Sequence, residues 1–197
     1  MPIANFHIYV LARAQVGLYR TLLSVWKLET RPNLVTILYP NGGLNTIEKS
    51  IYTVSEDTSD QGPQLRLLDN SSGLQVHVLN DAHAHNFDIT GFLVERDMLL
   101  PNYGEIINKG IAISEILGLN YFQRRRFGNS RLTHHHQGIR NPLSTLVLPK
   151  SQVENFINHS ELLPKDEMIL SVPIDSENIS VTGRVLVQSN IRSPFDL

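Results

Sequence analysis

The chain has 197 residues, a length that fits one domain with a sizeable core. Its net charge of -2 gives no global attraction to nucleic acid or acidic membrane. The absence of cysteine removes disulfides, thiolate zinc sites, iron–sulfur ligation and cysteine nucleophiles together, so any metal must be held by nitrogen and oxygen.

Taken in chain order, Phe6–Leu11 reads as a short strand or a helix start. Residues 12–28 carry Val16, Tyr19, Leu22, Leu23 and Trp26, one apolar stripe at helical spacing. Pro32 closes that helix, because it pushes its predecessor out of the helical region. Leu34–Tyr39 is rich in β-formers, and Pro40-Asn41-Gly42-Gly43 is a turn signal. Strands are expected over 47–54, 64–68, 74–79 and 87–95, with a polar loop over 55–63. The stretch 106–117 fits a strand pair or a helix, and further strands are expected over 143–148, 168–172 and 179–188. Many short strands at even spacing predict a mainly β barrel or sandwich in a single domain over 1–197, with an N-terminal α-helix. No signal peptide or apolar run of membrane-spanning length stands out, so the expected location is cytoplasmic, with no membrane partner.

Five of the eight histidines fall in two clusters, His83-Ala84-His85 and His134-His135-His136. On a strand, residues i and i+2 point to one face, so His83 and His85 would present their rings together. A third imidazole, His136 or alternatively His134, would complete a facial three-histidine site with open positions for substrate. Asp81 and Asp88 flank the first cluster and are candidates to orient its rings, and His77 is a candidate to line the same cavity. The segment His83-Ala84-His85-Asn86-Phe87-Asp88 resembles the first motif of small cupins, especially cysteine-dioxygenase-like proteins. The downstream histidine followed by Ser144-Thr145-Leu146-Val147-Leu148 resembles the second. That resemblance covers residues 64–148. It implies a double-stranded β-helix, or jelly roll, with Fe(II) or another divalent metal at its mouth, and an oxygenase acting on a small polar or anionic molecule. The motif's usual glutamate is missing: Glu95 lies too far along.

Four arginines and three aromatics crowd residues 121–131. Arg124, Arg126 or Arg140 would clamp a substrate anion if they border the barrel mouth. Tyr103 and Tyr121 are alternative proton donors, and no side chain stands out as the catalytic one. Arg124 to Arg126 also support an alternative, a nucleic-acid-binding or RNA-processing protein with a histidine of the triplet as general base. A second alternative is a non-catalytic assembly subunit; self-association into a homo-oligomer is compatible with every reading.

Overall fold

The architecture was obtained from a computed structural model. It describes residues 5–12, 17–39, 43–58, 62–69, 74–95, 97–99, 101, 103–104, 116–118, 121–124, 131–133, 146–158, 169–171 and 185–189.

The chain begins as strand–helix alternation. Strand β1 (Phe6–Leu11) leads to α1 (Leu18–Trp26), then β2 (Leu34–Tyr39), α2 (Leu44–Thr58), β3 (Gln64–Asp69), α3 (Leu74–His85) and β4 (Ile89–Val94). Short strands β5 (Met98–Leu99), β6 (Ile116–Gly118), β7 (Tyr121–Arg124) and β8 (Arg131–Thr133) follow. The remainder is β9 (Leu146–Pro149), α4 (Lys150–Asn158), β10 (Ile169–Ser171) and β11 (Val185–Ser189). The main sheet has the order β10-β6-β9-β4-β1-β2-β3, and a second sheet has the order β5-β11-β7-β8. Strands β1 to β4 are mutually parallel where they pair, and β9 runs antiparallel between β4 and β6.

All six residues of β1 are buried, as expected for a parallel strand covered on both faces. Phe6, Ile8 and Val10 point into one core, shared with Leu18, Leu22 and Val25 of α1 and Ile47 and Val54 of α2. Tyr9 and Leu11 point the other way, into a core with Val78, Leu79 and Ala82 of α3 and Val153 of α4. The result is a three-layer α/β/α unit.

The mainly β jelly roll is therefore corrected, and with it the cupin-like core over 64–148. Two misassigned segments account for it. Residues 47–54 lie inside helix α2, where Ile47, Ser50 and Val54 are buried at helical spacing. Residues 74–79 open helix α3 rather than forming a strand. Without these strands no jelly roll can close, and helices at those places supply the crossovers that parallel strands require.

Candidate functional site

The order of β3-β2-β1-β4 reverses at β1. The chain moves outward through β2 and β3 with α1 and α2 on one face, then returns through α3 on the other face to β4. In open α/β sheets the ligand crevice lies beyond the carboxyl ends of the strands at such a reversal. Here the reversal falls at the ends of β1 and β4, which lie side by side with Leu11 opposite Val94.

Two backbone hydrogen bonds keep these exits aligned. The Glu95 N–H donates to the Leu11 carbonyl at 2.8 Å, and the Ala12 N–H donates to the Leu38 carbonyl at 2.8 Å. Glu95 stands in the turn that ends β4, and Asp97 follows two residues later; both are buried. Just beyond, the Leu99 N–H donates to Ser24 Oγ of α1 at 3.1 Å, which fixes β5 against that helix. Helices α1, α2 and α3 each begin after the carboxyl end of the preceding strand, so their amino ends face this same edge. Helix amino ends favour anions.

A second polar cluster lies under α3. Tyr9, Thr36 and Arg66 occupy one register rung across β1, β2 and β3. The Tyr9 hydroxyl donates to Asp81 of α3, and Arg66 forms an ion pair with the same carboxylate. Arg66 also donates from Nη1 to Asp81 Oδ1 at 3.0 Å and from Nε to Thr36 Oγ1 at 3.2 Å, and its Nη1 lies 2.6 Å from His85 Nε2. His7 Nε2 shares a hydrogen bond of 2.8 Å with Thr36 Oγ1, and its ring centre lies 4.1 Å from that of Tyr9. Burial, reinforced by the charges of Arg66 and His85, lowers the His7 pKa to about 3. Burial, and then the bond to Asp81, raises the Tyr9 hydroxyl. For Asp81 burial pulls upward, but hydrogen bonds from Arg66 and Tyr9 outweigh it and hold the carboxyl below its usual range. Tyr9, Thr36, Arg66, Asp81 and His85 satisfy one another in this network, while the Nδ1 of His7 is buried without a hydrogen-bond partner.

The expected metal ligands fare differently from their expected geometry. His83 and His85 sit in the last turn of α3. At 100° per residue, helix positions i and i+2 diverge by about 200°, so the shared face of a strand is lost. His83 Nδ1 lies 3.8 Å from Glu154 of α4, whereas His85 faces Arg66 and Asp81. Among the described residues no three histidines or carboxylates cluster to hold an ion. His134, His135 and His136 lie outside the described residues, as do Arg126 and Arg140. Arg124 ends β7, whose partner β8 begins at Arg131; the expected arginine-rich stretch thus spans a strand pair. Asp81 does contact His85, at 3.9 Å, while Asp88 instead accepts from the Asn5 N–H at 3.3 Å. Tyr103, an expected proton donor, is fully enclosed beside Gly91, and burial raises its hydroxyl pKa. The sequence reading weighs Glu95 only as a cupin glutamate and passes over Asp97, although the two form an acidic pair directly after an apolar strand.

No family model matches the chain, and no curated protein matches its sequence. Solved structures do match in fold. S. aureus TarS in complex with UDP-GlcNAc aligns with a TM-score of 0.52 at 11% identity, over 95% of this chain and 56% of that one. The mannosyltransferase PcManGT from Pyrobaculum calidifontis, in complex with GDP-Man and Mn2+, aligns with a TM-score of 0.51 at 9% identity, over 89% of this chain and 58% of that one. The chain thus spans less than two thirds of the length of these neighbours. The likeness establishes a mixed α/β fold of mostly parallel strands and overturns the cupin resemblance. It also removes the basis for an iron oxygenase or dioxygenase, and lends no support to the RNA-processing or assembly-subunit alternatives. A divalent cation remains compatible with a neighbour that holds Mn2+, but Fe(II) is not supported. Among the described residues no helix is long and apolar enough to cross a membrane.

Proposed function

We propose that this chain binds a sugar nucleotide and serves in glycosyl transfer, with the diphosphate held at the carboxyl edge between β1 and β4. The observation that carries this reading is the position of Glu95 and Asp97: two carboxylates two residues apart, in and just after the turn that ends β4, at the reversal of strand order. Oxygen donors of this kind suit hard divalent cations such as Mg2+ or Mn2+. The structural neighbours with GDP-Man and Mn2+ or with UDP-GlcNAc support the same ligand class.

In this reading Glu95 and Asp97 would hold the cation, and the cation would supply charge neutralisation for a departing diphosphate. The backbone bond from Glu95 to Leu11 ties the carboxylate turn to the end of β1, so the ligand-bearing turn is set before ligand arrives. The amino ends of α1 to α3 add a favourable field for the phosphates. The expected arginine clamp for a substrate anion, Arg124, Arg126 or Arg140, is retained in this proposal for the remainder of the substrate.

Isothermal titration of the full chain with UDP and GDP, with Mn2+ and then with chelator, tests the proposal. Binding of one of them that requires Mn2+ and weakens at least about tenfold in Glu95→Gln and Asp97→Asn is expected. Binding that ignores the metal and both substitutions, or no binding of either nucleotide, would sink it.

A further inference from the structure

Arg66 carries donors and no acceptor. At 2.6 Å from Arg66 Nη1, His85 Nε2 must therefore be the accepting nitrogen, which places the ring in its neutral Nδ1–H tautomer. The contact joins β3 to the last turn of α3, one turn beyond the pairing of Arg66 with Asp81. Strand β3 is at the end of the main sheet, paired only to β2 among the described residues, and His85 is the last residue of α3. Immediately after it, Asn86 turns the chain through a left-handed conformation with φ 55°.

We propose that Arg66 and His85 form an acid-released clamp between edge strand β3 and the carboxyl end of α3, closed only while the imidazole is neutral. Taking up one proton turns Nε2 into a donor that faces a donor, and sets two cations against each other. The groups around His85 are Arg66 from β3, Asp81 from its own helix and His7 from β1, whose ring centre is 6.0 Å away. Of these, Asp81 alone is anionic. Its oxygens already accept from Arg66 and Tyr9, and it stands 3.9 Å from the imidazole, so it offsets the new charge only in part. With 35% of its side chain exposed, His85 has a route to water. The charged ring swings outward, and the last turn of α3 loosens, its polar tie to β3 reduced to the pairing of Arg66 with Asp81. This inference is independent of the proposed nucleotide site.

Amide hydrogen exchange of the full chain, corrected for intrinsic rates, tests it at about pH 7.5 and about pH 5. Peptides covering β3 and the last two turns of α3 are expected to lose protection roughly tenfold on acidification, ahead of the rest of the sheet. In His85→Gln, where an amide oxygen accepts from Arg66 without titrating, that protection is expected to persist. An unchanged wild type, or equal losses in wild type and variant, overturns the proposal. Should the variant fold poorly, the nitrogen-15 spectrum of wild-type histidines decides: His85 in the Nε2–H tautomer near neutral pH overturns it, and the Nδ1–H tautomer supports it.

Discussion

The two polar regions of the parallel sheet are built on opposite plans. Under α3, Tyr9, Thr36, Arg66, Asp81 and His85 turn toward one another, and each strand contributes one group to a shared rung. At the carboxyl edge, Glu95 and Asp97 stand where two strands leave the sheet in company with helix amino ends. The first arrangement satisfies its own charges and stabilises the fold. The second places two buried carboxyl side chains at the carboxyl edge of the sheet, where its strand order reverses. A histidine pair draws attention to the first region from sequence, whereas the proposed nucleotide site rests on the second.

The largest expected effect tests the structural role of the rung. Arg66→Ala leaves the Asp81 carboxylate with Tyr9 as its remaining strong partner. Because both side chains of the pair are partly exposed, the loss should fall at or below the lower bound for buried pairs, about 3 kcal/mol by urea denaturation. A loss below about 0.5 kcal/mol would reduce the network to a surface ion pair.

Acid should weaken the same region next. The His7 pKa is lowered to about 3 in the folded chain, against 6.5 unfolded. Between those values the unfolded chain binds the extra proton, so stability falls as pH drops below about 6.5 and goes on falling to about 3. At about pH 5 the loss from His7 should be about 2 kcal/mol, using 1.36 kcal/mol per unit. The depressed Asp81 carboxyl acts in the same direction, but only once pH enters the carboxylate range. His7→Gln should flatten the fall between about pH 6.5 and 5; an unaltered slope would show that His7 is not its source.

The carboxyl edge should behave in the opposite way. Glu95→Gln is expected to weaken Mn2+-dependent nucleotide binding by about 1.4 kcal/mol or more, while urea stability changes by about 1 kcal/mol or less. If the substitution unfolds the chain instead, Glu95 belongs with the structural class and the contrast between the two regions collapses.

A last substitution tests the packing beside β4. A Cβ at Gly91 would lie 2.6 Å from the Tyr103 hydroxyl. Gly91→Ala should cost about 1 to 3 kcal/mol, and Tyr103→Phe in the same chain should restore part of it by removing that oxygen. Simple addition of the two losses would mean that the glycine is there for another reason.

Several elements could be read directly from the residues. Leu34–Tyr39 reads as a strand because it is rich in β-formers, and α1 as a helix because its stripe repeats at helical spacing, whereas Phe6–Leu11 fits a strand or a helix start until its pairing is seen. Helix α2 was misread: the β-branched residues at 47, 51 and 54 suggest strand by type, although their spacing of four and three is helical. Helix α3 was misread for a different reason. Leu74, Val76 and Val78 alternate as a strand would, and only Val78, Leu79 and Ala82 packing onto the sheet shows the helical face.

Composition and patterning alone determined a water-compatible chain without thiol chemistry, with its first strands and first helix in place. They also marked the histidines near residue 85 as unusual. The tertiary structure decided the rest, because pairing order and crossover side are properties of distant segments. Placing β4 beside β1 rather than beside β3 creates the reversal at which Glu95 and Asp97 meet the crevice. Likewise, the register that sets Tyr9, Thr36 and Arg66 on one rung gives His85 an arginine to face, where the sequence had suggested a metal.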